Sequence, residues 1–180
     1  MANLVYPDFN QYQLPKKNVL VISCMDLRLT DDLVDFLHND NLANRYDHFI
    51  LAGASLCATT HHHSLFKEKV LADYGNFTHW KNNLFEHLQL AVDLHDIRDV
   101  YIIEHQDCGA YREFLKDGDF ANNADESECH RKFAEALSGE ISAKEYYDQK
   151  KQKPYKLHVH CFFIDLRGDV ELMHTTAKQA

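Results

Sequence analysis

Continuous apolar runs, rather than alternating ones, mark the strand-like stretches of this chain. Residues 18–23 (NVLVIS) are rich in β-branched side chains with no polar position in the middle. Such a run fits a strand buried on both faces, as in a parallel sheet. Residues 47–53 (DHFILAG) predict a second buried strand ended by glycine, and 99–104 (DVYIIE) a third. Residues 157–166 (LHVHCFFIDL) predict a fourth, followed by an Arg167-Gly168-Asp169 turn and a returning strand over 170–174. Between them the period changes. Trp80, Leu84, Leu88, Ala91, Val92 and Leu94 recur at helical spacing from about 79 to 95, with Thr78 as a cap. Thr30 offers a cap for a short helix through about 38. Two more helices are predicted over about 125–137 and 142–152.

Strands alternating with helices predict an α/β fold with a mixed, mainly parallel sheet flanked by helices. The chain has no internal repeat, and its three prolines and six glycines do not cluster into a linker. One domain over 1–180, with 1–16 as an N-terminal arm, is the expected organisation. In such sheets, sites form beyond the carboxyl ends of the strands.

Composition narrows the partners. The net charge of -9 argues against nucleic acid or an anionic membrane surface. No apolar run approaches the roughly 20 residues of a membrane helix, and the first fifteen residues do not read as a secretory signal. Five widely spaced cysteines do not make a disulfide framework. A cytoplasmic protein with reduced thiols is expected.

Two segments carry chemistry. Cys24-Met25-Asp26-Leu27-Arg28 follows the first predicted strand, and His105-Gln106-Asp107-Cys108-Gly109 follows the third. Both therefore lie at the sheet edge where a site is expected. An imidazole and a thiol on one tight turn can reach a single metal ion. Cys24, arriving from a neighbouring strand, completes a soft set of one nitrogen and two sulfurs suited to zinc. Asp26 either fills the fourth position or accepts a hydrogen bond from water there. Arg28 can hold the Asp26 carboxylate through a bidentate pair and lower its pKa.

C-x-D-x-R followed some eighty residues later by H-x-x-C-G resembles the β-class carbonic anhydrases. Leu51-Ala52-Gly53 stands in the place of that family's R-N-A-G segment, and FFIDLRGDVELMH resembles its closing hairpin. The resemblance spans roughly residues 13–174. It implies that Cys24, His105 and Cys108 bind zinc, and that Asp26 and Arg28 orient a zinc-bound hydroxide. The implied reaction is the attack of that hydroxide on carbon dioxide to give bicarbonate. It further implies a homodimer or larger homo-oligomer. Gln13, Gly53 and Gly109 are the candidates for substrate contact. Ile50, Leu51, Leu27 and Glu104 depart from the family pattern. They leave two alternatives on the same scaffold: hydrolysis of carbonyl sulfide or carbon disulfide, and a zinc protein without catalysis. Glu104 is expected either to support His105 or to face solvent. His61, His62 and His63 are expected to form a solvated loop rather than a proton shuttle or second metal site. Cys57 and Cys161 are read as core thiols, and Cys129-His130 as structural. Asp107 is given no catalytic role.

Overall fold

The computed structural model describes residues 4–59 and 62–176. Its central sheet has the strand order β2-β1-β3-β6-β7. The strands are β1 (Val19–Ser23), β2 (Tyr46–Ile50), β3 (Asp99–His105), β6 (His158–Ile164) and β7 (Val170–Thr175). The first four run parallel, and β7 returns antiparallel from β6. This is the mixed, mainly parallel α/β architecture expected from the run pattern. A separate two-stranded ribbon pairs β4 (Tyr146–Asp148) with β5 (Lys153–Tyr155).

Two apolar layers cover the sheet. On one face Leu20, Ile22, Val100, Ile102, Val159 and Cys161 meet α4 (Thr78–His95) and α6 (Asn123–Ala143). On the other, Val19, Val21, Tyr101, Ile103 and Phe162 meet α1 (Thr30–Asn39). Every residue of β1 and β3 is buried, which is why both strands read as unbroken apolar runs. The N-terminal arm is pinned by Tyr12, which is buried and donates to Asp40 at 2.8 Å. Tyr101 donates to the same carboxylate at 2.7 Å. Short helices α2 (Ser55–Ala58), α3 (Glu68–Tyr74) and α5 (Gly109–Phe114) complete the chain.

Several sequence expectations need correcting. β2 is an edge strand, half-exposed along its length rather than buried on both faces. The helix expected from 125 runs as one unit to Ala143, and the helix expected over 142–152 does not form. Asp148 instead accepts from the backbone N–H groups of Lys150 and Lys151 at 3.0 and 2.9 Å, closing a turn. Pro154 then lies in the paired strand. Tyr146, Tyr147 and Tyr155 supply a preference for strand there. Thr30 and Thr78 are not caps. Asp26 caps the 3-10 turn at Leu27–Leu29 that leads into α1, and the side chain of Asn76 accepts from Thr78 N. Leu94 is exposed rather than packed.

Candidate metal centre

Parallel pairing sets Ser23 opposite Ile103. One residue beyond Ser23 comes Cys24, and two beyond Ile103 comes His105. The tight turn after His105 passes through Asp107, whose φ of 58° is left-handed, and delivers Cys108 at the start of α5. The donor atoms of Cys24, His105 and Cys108 all lie within 4.8 Å of one another. Cys24 Sγ and Cys108 Sγ are 3.9 Å apart.

His105 donates from Nδ1 to the Gln106 carbonyl oxygen at 2.9 Å. That fixes its tautomer and leaves the Nε2 lone pair facing the two sulfurs. This Nε2 is buried and has no hydrogen-bond partner. An orphaned buried nitrogen beside two thiols is the donor set of a zinc site, and the residues fit that ion. Cys24 is held below the ordinary thiol value. The Cys108 S–H does most of this; burial opposes it, and His105 and the Gly53 N–H reinforce it. Cys108 is raised in turn by the same contact and by burial.

Gly53 has a structural reason to be glycine. Its N–H donates to Cys24 Sγ at 3.3 Å with φ at 68°, and an added Cβ would meet Leu56 Cβ at 3.0 Å and Ala110 Cβ at 3.1 Å. A side chain here would push the loop off the sulfur. Gly109 is exposed, with open space where a Cβ would go.

Arg28 grips Asp26 from Nε (3.0 Å to Oδ1) and from a terminal nitrogen (2.7 Å to Oδ2). Its own backbone N–H adds a third contact at 3.0 Å. These contacts hold the Asp26 carboxyl down to about 2, against the opposing effect of burial. Arg28 also binds the Asp107 carboxylate and carbonyl, each at 2.8 Å, and Arg112 binds Asp107 from the other side. Asp107 therefore ties the two motifs together, a role its sequence position did not announce. Asp26 Oδ2 is 4.0 Å from His105 Nε2, outside the three-donor cluster.

The site opens into a cavity of about 190 Å³. Its walls are largely apolar, from Leu29, Leu33, Val34, Ile50, Ile103 and Ile164. Ser23 and His48, bonded to each other at 2.7 Å, are polar exceptions.

Other expectations fall away from this centre. Gln13 is exposed and lies beside Arg98, Asp99 and His158, at the amino ends of β3 and β6. It is thus at the far end of the sheet from Cys24 of the same chain. Glu104 neither supports His105 nor faces solvent. It is buried, accepting from Ser55 N at 2.9 Å and from His130 Nδ1 at 2.7 Å. Cys57 and Cys161 are buried in the core. His61 lies outside the described residues. His62 and His63 are half-buried rather than solvated, with rings against Phe133 and Phe66. Among the described residues no helix is long and apolar enough to cross a membrane.

No protein-family model matches the chain. An uncharacterized protein of Rickettsia bellii is 27% identical over 161 residues, covering 89% of this chain and 84% of that protein. One of Rickettsia conorii is 25% identical over 161 residues, covering 89% and 74%. Among solved structures, the β-carbonic anhydrase CafD of the filamentous fungus Aspergillus fumigatus matches over 92% of this chain and 96% of its own. The TM-score is 0.56 at 12% identity. Two mutants of that enzyme give 0.50. The fold is therefore of the β-carbonic anhydrase type.

The Asp26 carboxyl reports directly on the Arg28 clamp. Its folded value lies below the ordinary 3.8, so its contribution to stability is present above that pH and is lost as pH falls through about 2. In an NMR titration, Arg28→Gln should move the Asp26 midpoint up from about 2 toward 3.8. An unmoved midpoint would mean that Arg28 does not set it.

Proposed function

We propose that Cys24, His105 and Cys108 hold a zinc ion and that the chain reversibly hydrates carbon dioxide to bicarbonate and a proton. The observation that carries this reading is the convergence of the three donor atoms within 4.8 Å beside an apolar cavity. Zinc, when bound, supplies a Lewis acid that makes water nucleophilic at neutral pH.

The chain's own residues supply the rest. Asp26, kept ionised by Arg28, lines the cavity and would accept a hydrogen bond from the attacking water. Both Asp26 oxygens are already engaged by Arg28, which favours leaving the fourth ligand position to water rather than to carboxylate. Arg28 is itself held by Asp107, so the orientation of Asp26 is fixed by both motifs. Leu29, Ile50, Ile103 and Ile164 offer a small linear apolar molecule a dry place to sit. An open cavity beside the donors favours catalysis over a closed structural site.

A second reading rests on Ile50. It stands where the resemblance would place an arginine, and it lines the cavity. A wall without that cation suits carbonyl sulfide or carbon disulfide as well as it suits carbon dioxide.

We also propose that the working form is a homodimer or larger. Among the described residues β2 has no strand partner on its outer edge; Ile50 at its end is 54% exposed, and Met25 and Leu27, just after β1, are 68 and 84% exposed. An open edge flanked by apolar side chains is a surface that a second copy would cover.

Stopped-flow hydration of carbon dioxide by the zinc-loaded chain, from about pH 7 to about pH 9, should exceed the buffer rate. Asp26→Asn should lower kcat/KM roughly 10²- to 10⁴-fold. A buffer-level rate combined with sulfide release from carbonyl sulfide or carbon disulfide would replace the first reading with the second. Sedimentation equilibrium should give at least twice the 21.0 kDa chain mass, with Ile50→Glu shifting the mass toward monomer. A wild-type monomer at all concentrations would overturn the assembly proposal.

A further inference from the structure

Behind the donor cluster lies a group of ionisable side chains that the proposed chemistry does not use. His130 on α6 is fully buried, Glu104 at the end of β3 is 1% exposed, and Glu126 on α6 is 7% exposed. His130 Nδ1 donates to Glu104 Oε2 at 2.7 Å. Its Nε2 faces Glu126 Oε1 at 3.8 Å. The Tyr111 ring stacks on the imidazole, 3.5 Å between centroids and 28° between planes, and the Tyr111 hydroxyl meets Ser55 Oγ at 3.3 Å. Two carboxylates and an imidazole are costly to place in a core unless each does something there.

The backbone contacts of both carboxylates show what they do. Glu104 Oε1 accepts from Ser55 N at 2.9 Å. Ser55 follows Ala54, whose φ of 43° and ψ of −109° are unfavourable for a residue with a Cβ. Ala54 follows Gly53, whose N–H donates to Cys24 Sγ. The bond from Glu104 thus closes a strained loop against one sulfur. Glu126 Oε1 accepts from the backbone N–H of Cys108 at 3.3 Å, and so reaches the residue carrying the other sulfur. His130 lies between the two carboxylates, bonded to Glu104 and facing Glu126.

We propose that Glu104 and Glu126, on either side of His130, are positioning residues that fix the two sulfur donors relative to each other. Glu104 acts on Cys24 through Ser55 and Gly53, and Glu126 acts on Cys108 through its backbone. This rests on the metal reading of the donor cluster, but not on any catalytic activity. A glutamate immediately before His105 is also where the chain departs from the resemblance, so the brace is a property of this sequence.

The test compares Glu104→Ala, Glu104→Gln, Glu126→Ala and Glu126→Gln with the wild-type chain. Two readouts are used: zinc affinity by chelator competition, and the thiolate-to-metal absorption band of the cobalt(II)-loaded protein. The alanine variants should bind zinc roughly 10- to 100-fold more weakly, with a shifted cobalt band. The glutamine variants keep an acceptor oxygen for the backbone N–H of Ser55 or Cys108 and should bind zinc more tightly than the alanine variants do. Glu126 lies nearest the surface, so the test stands on it if Glu104→Ala does not fold. Folded alanine variants that melt earlier, yet keep wild-type zinc affinity and an unchanged cobalt band, would reduce the brace to a purely structural role and overturn the proposal. A wild-type chain that binds no zinc would overturn the metal reading together with this inference. A zinc-binding wild type with no carbon dioxide hydration would leave the inference intact.

Discussion

Parallel pairing of β1 with β3 sets Ser23 against Ile103, and the chemistry at the carboxyl edge of the sheet depends on that register. One step along β1 and two along β3 bring Cys24 and His105 to the same place. A shift of a single residue would turn one of them to the other face of the sheet. The register is held by burial. Val19, Val21, Tyr101 and Ile103 pack on one face, and Leu20, Ile22, Val100 and Ile102 on the other. Fully burying one such side chain contributes roughly 1.5–3 kcal/mol, so a slipped register would be strongly disfavoured. The two apolar layers thus position polar groups that could not hold one another in place.

Those polar groups are in tension. Two thiols and an imidazole nitrogen face one another in a largely buried space, and His105 Nε2 has no hydrogen-bond partner. Leaving a buried polar atom unpaired costs about 1–3 kcal/mol. The surrounding loops do not relax to pair it, because each is fastened elsewhere. Arg28 and Arg112 hold Asp107, and Glu104 holds Ser55. Breaking a buried pair such as Glu104–His130 by removing one partner costs roughly 3–5 kcal/mol. The supports are stiff enough to keep the donors aimed at one point, which is the property a metal site requires.

Much of this was legible in the sequence, for identifiable reasons. Strands buried on both faces leave unbroken apolar runs, so β1, β3 and β6 could be placed closely. The first short motif follows β1 directly, and the second begins on the last residue of β3. What stayed hidden depends on contacts between distant residues. Glu104 ends an apolar run and looked like a surface or ligand-supporting residue; its partners Ser55 and His130 are 49 and 26 positions away. Asp107 read as a turn residue because Arg28, which binds it, is 79 positions earlier. A helix was expected over 142–152, but Asp148 and Pro154 close a turn and a strand there. Gln13 could be matched only by spacing, and three-dimensional placement puts it at the other end of the sheet.

The proposed centre holds one ion by two sulfurs and one nitrogen. Zinc-edge X-ray absorption on the purified chain tests it directly. The expected result is close to one zinc per chain, with two sulfurs at about 2.3 Å, one imidazole nitrogen at about 2.0–2.1 Å and one further light atom. A chain that retains no zinc, or a shell built of four sulfurs or of nitrogen and oxygen alone, would contradict it.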